Sequence, residues 1–170
     1  ALAELMGIIQ NDGYRLPTLR INQLHFAADT PYEVTLENQN TQGERVMRHE
    51  VAQALKAALA NVVQNGTARR LKGIFTDEKG EMLAIGGKTG TGDNRIVTQM
   101  QQGKKVATTA MNRTATFVFY LGDKYFGTLT AFVPGSKSDD FSFTSALPLQ
   151  VMKGMMPILS PYVKTEQGMC

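Results

Sequence analysis

Two neighbouring β-type segments constrain the fold of this chain more than any other feature of its sequence. Residues 114–121 (TATFVFYL) and residues 125–133 (YFGTLTAFV) alternate aromatic and small side chains and are rich in β-branched residues. This composition and alternation are typical of strands that pack one face on a core. Only Gly122-Asp123-Lys124 separates the two segments, so the sequence predicts an antiparallel hairpin.

Helical periodicity appears before and after this hairpin. In residues 48–64, apolar side chains including Val51, Leu55, Leu59 and Val62 recur at helical spacing and predict an amphipathic helix. Asn65-Gly66 should end it, with Gly66 as a left-handed cap. Residues 1–10 also follow a helical pattern. A last helix is predicted over residues 144–159, with a proline in its first turn, where proline is tolerated.

The remaining segments predict shorter elements. Residues 82–85 should form a strand that runs into the sequence KTGT at residues 88–91, and residues 32–36 alternate like a short strand. Residues 93–112 are polar and poor in aromatic side chains, and they are predicted to be an exposed loop. The order of helices, strand, hairpin and helix indicates an α+β fold in which helices cover an antiparallel sheet.

Composition excludes several classes of function. The chain has 170 residues, which suits one domain or part of one, and its formal net charge of +3 is not concentrated in a dense basic run. It has no tryptophan, and nucleic-acid binding is not expected. The lone cysteine, Cys170, permits no internal disulfide and no cysteine-based metal site. His25 and His49 lack the spacing of zinc ligands, so neither a metal nor a cofactor is predicted.

The stretch AIGGKTGTGDNR, residues 84–95, allows two interpretations. A phosphate-binding P-loop requires glycine, four further residues and then Gly-Lys-Ser/Thr, but Met82 occupies the position of the first glycine. The loop should also lead into a helix, whereas Gly90, Gly92 and Asn94 are poor helix formers. The second interpretation is a strand that binds a carboxylate. Lys-Thr-Gly is one of three signatures of serine acyl-transfer enzymes that bind penicillin.

The flanking residues extend this match to most of the chain. Residues 48–71 (RHEVAQALKAALANVVQNGTARRL) resemble the long helix, ending in Gly-Thr-Ala, that precedes the motif in transpeptidase domains of penicillin-binding proteins. Residues 86–91 (GGKTGT) resemble their motif strand and residues 114–134 the hairpin after it. Residues 4–20 (ELMGIIQNDGYRLPTLR) resemble the segment between their second and third signatures. The resemblance implies a β-lactamase/transpeptidase-like fold, closer to the bifunctional class A type than to class B.

The resemblance also implies roles for residues 88–91. Lys88 and Thr89 would bind the terminal carboxylate of a D-alanyl-D-alanine peptidoglycan stem peptide, or the carboxylate of a β-lactam. Gly90 would let a peptide approach the strand closely, and Thr91 would add a hydroxyl donor. The Thr91 backbone N–H would form half of an oxyanion hole. A surface strand in which Lys88 only extends into solvent is the alternative for a motif taken alone.

The other two signatures, Ser-x-x-Lys and Ser-x-Asn, are absent from the 170 residues. We therefore expect residues 1–170 to be the C-terminal portion of a transpeptidase domain, inactive alone, whose nucleophile lies on a preceding part of the polypeptide. The parent protein is then expected in the cell envelope, at the outer (periplasmic) face of the cytoplasmic membrane, anchored by a segment outside this chain. A non-catalytic peptide- or partner-binding module and a serine β-lactamase are the alternatives.

Further candidates concern surfaces near the motif. Arg95 is expected either to contact substrate or to serve a loop, and Asp139-Asp140 to be either a catalytic pair or a solvated loop. If the preceding portion normally covers one face of the sheet, an apolar surface should remain exposed. A homodimer through that surface is then expected.

Overall fold

The computed structural model describes residues 1–21, 23–37, 42–77 and 79–164. Cys170 lies outside the described residues. The elements, in chain order, are α1 Leu2–Gln10, β1 Tyr14–Arg15, β2 Gln23–Phe26, β3 Val34–Glu37, β4 Glu44–Arg45, α2 His49–Gln64, a 3₁₀ turn Arg69–Leu71, β5 Ile85–Gln101, β6 Lys104–Leu121, β7 Tyr125–Pro134, a second 3₁₀ turn Ser136–Asp140, and α3 Ala146–Lys164.

An antiparallel sheet with the strand order β5–β6–β7 forms the centre of the fold. The predicted hairpin at residues 122–124 is confirmed, because β6 pairs with β7 from Leu121↔Tyr125 to Asn112↔Pro134. Strand β5 pairs with the other side of β6, with Lys88 opposite Val118 and Thr89 opposite Phe117. This register decides which side chains of the motif share a face of the sheet.

One face of the sheet carries the main hydrophobic core. Phe117 and Leu121 of β6 and Ile85 of β5 pack there with Leu149 and Met152 of α3. All five side chains are buried, and burying each from water stabilises the fold by about 1.5–3 kcal/mol. The same cluster includes residues from the end of α2 and the segment after it: Val63, Ala68, Leu71 and Phe75.

Helices α1 and α2 meet the opposite face of the sheet. Tyr120 precedes Leu121 in β6 and therefore points to the opposite face. Its hydroxyl donates a hydrogen bond to the backbone oxygen of Lys56 in α2, at 3.2 Å. Burial raises the pKa of the Tyr120 hydroxyl above its usual value. Phe126, directly opposite Tyr120, packs its ring against Gly7 of α1. Helices therefore lie against both faces of the sheet, although Phe126 and Phe132 of β7 stay 47% and 58% exposed on this second face. The predicted α+β architecture is confirmed.

The prediction of a loop over residues 93–112 is wrong. Strands β5 and β6 continue as a paired hairpin as far as Gln101↔Lys104, with register shifts near Arg95 and Gln99. The turn residues Gln102 and Gly103 both have positive φ angles, of 49° and 75°. Such a turn matches the twist of the strands that it joins, so backbone pairing continues although the segment is polar.

Two further differences concern smaller features. Helix α2 ends at Gln64, directly before Asn65-Gly66 as predicted, but Gly66 does not have the left-handed conformation expected of it. A side chain at Gly66 would instead bring Cβ within 2.9 Å of the Val62 carbonyl oxygen. The short strand predicted at residues 32–36 is β3, and its partner β2 was not predicted.

The β2–β3 hairpin is exposed along its whole length. Its register places Leu24 opposite Leu36 and Phe26 opposite Val34. Side chains of directly opposed residues, and of residues two apart along a strand, share one face, so these four form an apolar face. The other face carries polar residues, including His25, whose Nε2 lies 2.6 Å from a carboxylate oxygen of Glu33.

Candidate functional site

Residues 88–91 lie near the beginning of β5, at one edge of the three-stranded sheet. On one side β5 pairs with β6, and no other described strand pairs with its outer side. In an antiparallel edge strand, alternate backbone N–H and C=O groups point away from the sheet and can accept another strand. The motif therefore lies where an extended peptide can be added to the sheet.

The glycines around the motif fall into two groups. A Cβ at Gly86 would lie 2.4 Å from the Tyr120 ring, and one at Gly87 would lie 2.4 Å from the Val118 carbonyl oxygen. A Cβ at Gly90 or Gly92 would meet nothing within 4 Å. Packing within the chain thus requires the first two glycines. The last two leave the exposed strand open to an approaching molecule.

Thr89 points into the protein. Thr89 is only 8% exposed, and its hydroxyl oxygen lies 2.7 Å from the hydroxyl oxygen of Thr67. Either hydroxyl can donate in this pair. Thr67 belongs to the Gly-Thr-Ala sequence that carried part of the family resemblance, but no pattern in the sequence placed its side chain against the motif.

Lys88 lies on the face opposite to Thr89, because successive residues of a strand alternate between faces. Lys88 is exposed, and its ammonium donates a hydrogen bond to the backbone oxygen of Thr89 at 2.7 Å. The cation is therefore held beside the strand backbone. The structure does not bring the Lys88 and Thr89 side chains together on one face, although both belong to the predicted carboxylate site.

Thr91 is exposed and lies on the same face as Thr89. Its hydroxyl oxygen accepts a hydrogen bond from the backbone N–H of Ser145 at 2.9 Å. Ser145 immediately precedes α3, so this bond connects the motif strand to the connection between β7 and α3. Sequence reasoning missed Ser145, because a backbone amide contact between residues 54 positions apart leaves no pattern in the sequence.

Charged side chains follow the motif along β5. Asp93 accepts hydrogen bonds from Arg113 with both carboxylate oxygens, at 3.0 and 3.1 Å. Arg95 binds both carboxylate oxygens of Asp139, at 2.9 and 3.3 Å. The loop role expected of Arg95 is wrong, because the residue lies in strand β5 and in this ion pair. Asp139 is one partner of that pair, with half of its side chain exposed.

No metal site is apparent among the residues that the structure describes, where no three histidine, cysteine or acidic side chains come together. A cavity of about 530 Å³ lies away from the motif, between α1, residues 14–19 and the turn between β6 and β7. Its lining is mostly apolar and contains none of residues 88–91. The motif itself lies on an open surface of the sheet edge.

Residues 1–136 match the family Transpeptidase, described as "Penicillin binding protein transpeptidase domain". The match covers most of the chain, and the chain belongs to this family. The predicted family resemblance is thereby confirmed. None of the curated proteins compared with the chain matches it.

Solved structures of two penicillin-binding proteins and of a D,D-transpeptidase domain share the fold. Penicillin-binding protein 3 of Mycobacterium tuberculosis, in complex with aztreonam, matches with a TM-score of 0.57 and 20% identity, over 98% of this chain and 36% of its own. The D,D-transpeptidase domain of a peptidoglycan glycosyltransferase from Eggerthella lenta gives 0.52 and 16%, over 92% and 31%. Penicillin-binding protein 2B of Streptococcus pneumoniae gives 0.54 and 14%, over 98% and 25%.

These similarities also define the extent of the match. The chain spans between a quarter and just over a third of the length of these three structures. Within the described residues, no helix is long and apolar enough to cross a membrane.

Proposed function

We propose that this chain is the substrate-binding portion of a penicillin-binding serine DD-transpeptidase that cross-links peptidoglycan stem peptides. The observation that carries the proposal is the position of residues 88–91 on an open sheet edge. One of them, Gly90, is a glycine that no internal contact requires. Family membership supports the same conclusion. A stem peptide would lie along β5 as an added strand, held by main-chain hydrogen bonds.

The chemistry of the edge suits a peptide that ends in a carboxylate. The Lys88 ammonium supplies a positive charge beside the backbone, and the exposed Thr91 hydroxyl supplies a donor. Because the Thr89 hydroxyl is buried against Thr67, it would contribute through that pair rather than as a free donor. The Thr91 backbone N–H would stabilise the oxyanion of the tetrahedral intermediate.

The nucleophile would come from a serine outside this chain. Its hydroxyl oxygen would bond to the carbonyl carbon of the penultimate D-alanine, and the peptide bond to the terminal D-alanine would break. The terminal D-alanine would leave with a proton on its amine. An acceptor amine would then attack the acyl-enzyme and regenerate the serine. We propose that residues 1–170 are the C-terminal portion of that domain and are inactive alone.

The parent protein would act in the cell envelope, at the outer (periplasmic) face of the cytoplasmic membrane, and it would be anchored there by a segment outside this chain. β-Lactams would occupy the same site as the stem peptide. Complexes of the M. tuberculosis protein with aztreonam and with ampicillin support this part of the proposal.

A second candidate function is a non-catalytic module that binds peptides or a partner along β5. The observation that favours it is the absence of Ser-x-x-Lys and Ser-x-Asn from all 170 residues. Both candidates use the same strand edge, and they differ in whether a covalent adduct forms.

Covalent labelling with a fluorescent penicillin, read by intact mass, tests the proposal. We expect the parent protein to be labelled, this chain alone to remain unlabelled, and Lys88→Ala in the parent to lower the labelling rate by at least tenfold. Lys79→Ala, which changes another exposed lysine in a turn before the motif, is the matched control and should not alter the rate. A folded parent protein that is not labelled would leave only the binding module.

A further inference from the structure

The connection between β7 and α3, residues 135–145, crosses the sheet close to the motif strand. Strand β7 ends at Pro134, opposite Asn112, whereas β6 continues beyond this point. Gly135 turns the chain with a φ angle of 78°, and its N–H binds the Met111 carbonyl oxygen at 2.7 Å. Residues 135–145 therefore occupy space beside β6 that β7 leaves free.

An ion pair attaches the middle of this connection to β5. Asp139 binds Arg95 through both carboxylate oxygens, and the Arg95 Nε donates to the Thr108 hydroxyl at 3.1 Å. Three hydrogen bonds thus fix one guanidinium between the connection and the two strands. Bidentate pairing of this kind constrains orientation as well as distance.

A second attachment lies between the ion pair and the motif. Arg113 holds Asp93 of β5 with one nitrogen and donates from Nε to the backbone oxygen of Phe143 at 2.8 Å. Its guanidinium also lies 5.4 Å from the centre of the Phe143 ring. The Arg113 side chain is only 17% exposed, so solvent screens these contacts less than those of Arg95.

The third attachment reaches the motif itself and determines how one hydroxyl is used. The Thr91 oxygen accepts the Ser145 N–H, and no acceptor for the Thr91 O–H is found among the described residues. A hydroxyl has one donor and two acceptor positions. The Thr91 oxygen accepts from Ser145, so the Thr91 O–H can donate to a bound molecule.

We infer that residues 135–145 position Thr91 as a hydroxyl donor to the substrate carboxylate, and that the Arg95–Asp139 ion pair holds these residues in place. The inference rests on the proposed function and adds positioning residues to it. Arg95 and Asp139 act through the connection and Ser145, without touching the substrate. Their loss should weaken carboxylate binding and leave the covalent step unchanged.

Limited trypsin digestion of this chain tests the attachment without reference to function. Lys137 is exposed within the connection and provides the cleavage site. We expect Arg95→Gln to speed cleavage after Lys137 by about threefold to fivefold, in line with a half-exposed ion pair. Arg70→Gln, which changes an exposed arginine elsewhere, should cleave at the wild-type rate. Equal rates for the two variants would overturn the inference.

Penicillin acylation of the parent protein tests the consequence for the site. We expect Arg95→Gln and Asp139→Asn each to raise the apparent dissociation constant for penicillin by about threefold to fivefold, with an unchanged acylation rate at saturation. Asp139→Asn should have no further effect when combined with Arg95→Gln, because the two residues act as one pair. Asp140→Asn is the control, since Asp140 is exposed and acidic at the adjacent position.

The methyl ester of the same penicillin distinguishes two effects of the variants. They either displace a hydroxyl that donates to the penicillin carboxylate, or they change the site in general. The methyl ester lacks the negative charge, so its weaker binding should be the same in the wild type and in Asp139→Asn. A wild-type parent that is labelled, with Asp139→Asn binding penicillin as tightly as Asp140→Asn, would overturn this inference alone. A wild-type parent that is not labelled would overturn the proposed function, and with it the role of Thr91 toward a carboxylate.

Discussion

At the scale of single residues, an added methyl group would have opposite consequences at Gly86 and Gly90. At Gly86 it would overlap the Tyr120 ring, which is itself held by its hydrogen bond to α2. At Gly90 it would project into open space. Both glycines belong to the same short stretch of sequence, and the sequence alone does not distinguish them, because the difference arises from the register with β6.

This difference predicts separate effects on stability and on binding. Gly86→Ala should lower the free energy of unfolding by about 1–3 kcal/mol, because the ring or the strand must move. Gly90→Ala should change it by less than about 0.5 kcal/mol, but should slow penicillin labelling of the parent protein. Urea denaturation of this chain measures the first quantity. Equal losses of stability for the two variants would contradict the assignment.

The motif illustrates how far residue-level prediction reached. The Lys-Thr-Gly signature located the strand, and its roles toward a substrate remain predictions. The sequence did not indicate that Thr89 is buried against Thr67, or that Thr91 accepts the Ser145 amide. Both contacts join residues far apart in the chain, and they depend on how the segments after α2 and before α3 pack on the sheet.

At the scale of elements, helix α2 and the β6–β7 hairpin were predicted from their hydrophobic periods. Helix α2 buries only part of its predicted stripe, because Leu59 and Val62 are half-buried whereas Val51 and Leu55 are exposed. The extension of β5 and β6 was not predicted. Its residues Ile96, Val97, Thr108 and Thr109 favour strands, but they are exposed or half-buried, so they carry no alternation of buried and exposed side chains. Backbone pairing and the turn at Gln102-Gly103 define it instead.

The turn of this extension can be tested against a glycine in a helix. Gly103→Ala should destabilise the chain by about 1 kcal/mol, because a Cβ is unfavourable at a φ angle of 75°. Gly154→Ala in α3 should stabilise it by about 0.5–1 kcal/mol, since no atom lies within 4 Å of the new Cβ and alanine favours helices. Thermal and urea unfolding of the two variants should shift in opposite directions. Stabilisation by Gly103→Ala would contradict the turn geometry.

At the scale of the whole molecule, the helix-covered sheet was predictable from element order, but the apolar face of the β2–β3 hairpin was not. Leu24, Phe26, Val34 and Leu36 are 43–55% exposed. Short strands of this kind have too few residues for a reliable pattern, and β2 was missed for that reason. Exposed apolar side chains on one face are a surface on which association is favourable.

The sequence predicted a homodimer through an apolar face of the main sheet. The hairpin offers a different exposed apolar face, and we expect this chain to form a homodimer through it, with a concentration-dependent sedimentation coefficient. Leu36→Lys should shift the equilibrium to the monomer, because it places a charge in that apolar face. Thr35→Lys is the matched control: it adds the same charge to the opposite face of the hairpin and should leave the dimer intact. A wild-type chain that sediments as a monomer at all concentrations would contradict the expectation.

The hydrogen bond between Ser145 and Thr91 joins the start of α3 to the motif strand β5. These two parts of the molecule require different free energies to unfold locally. Helix α3 is anchored in the core by Leu149 and Met152, but Ser145 lies just before its first turn, where helices fray. Local opening of that turn requires less free energy than global unfolding. The donor at Thr91 would then lose its orientation while the core remains folded. The temperature range in which the site is competent would therefore be narrower than the range in which the protein is native.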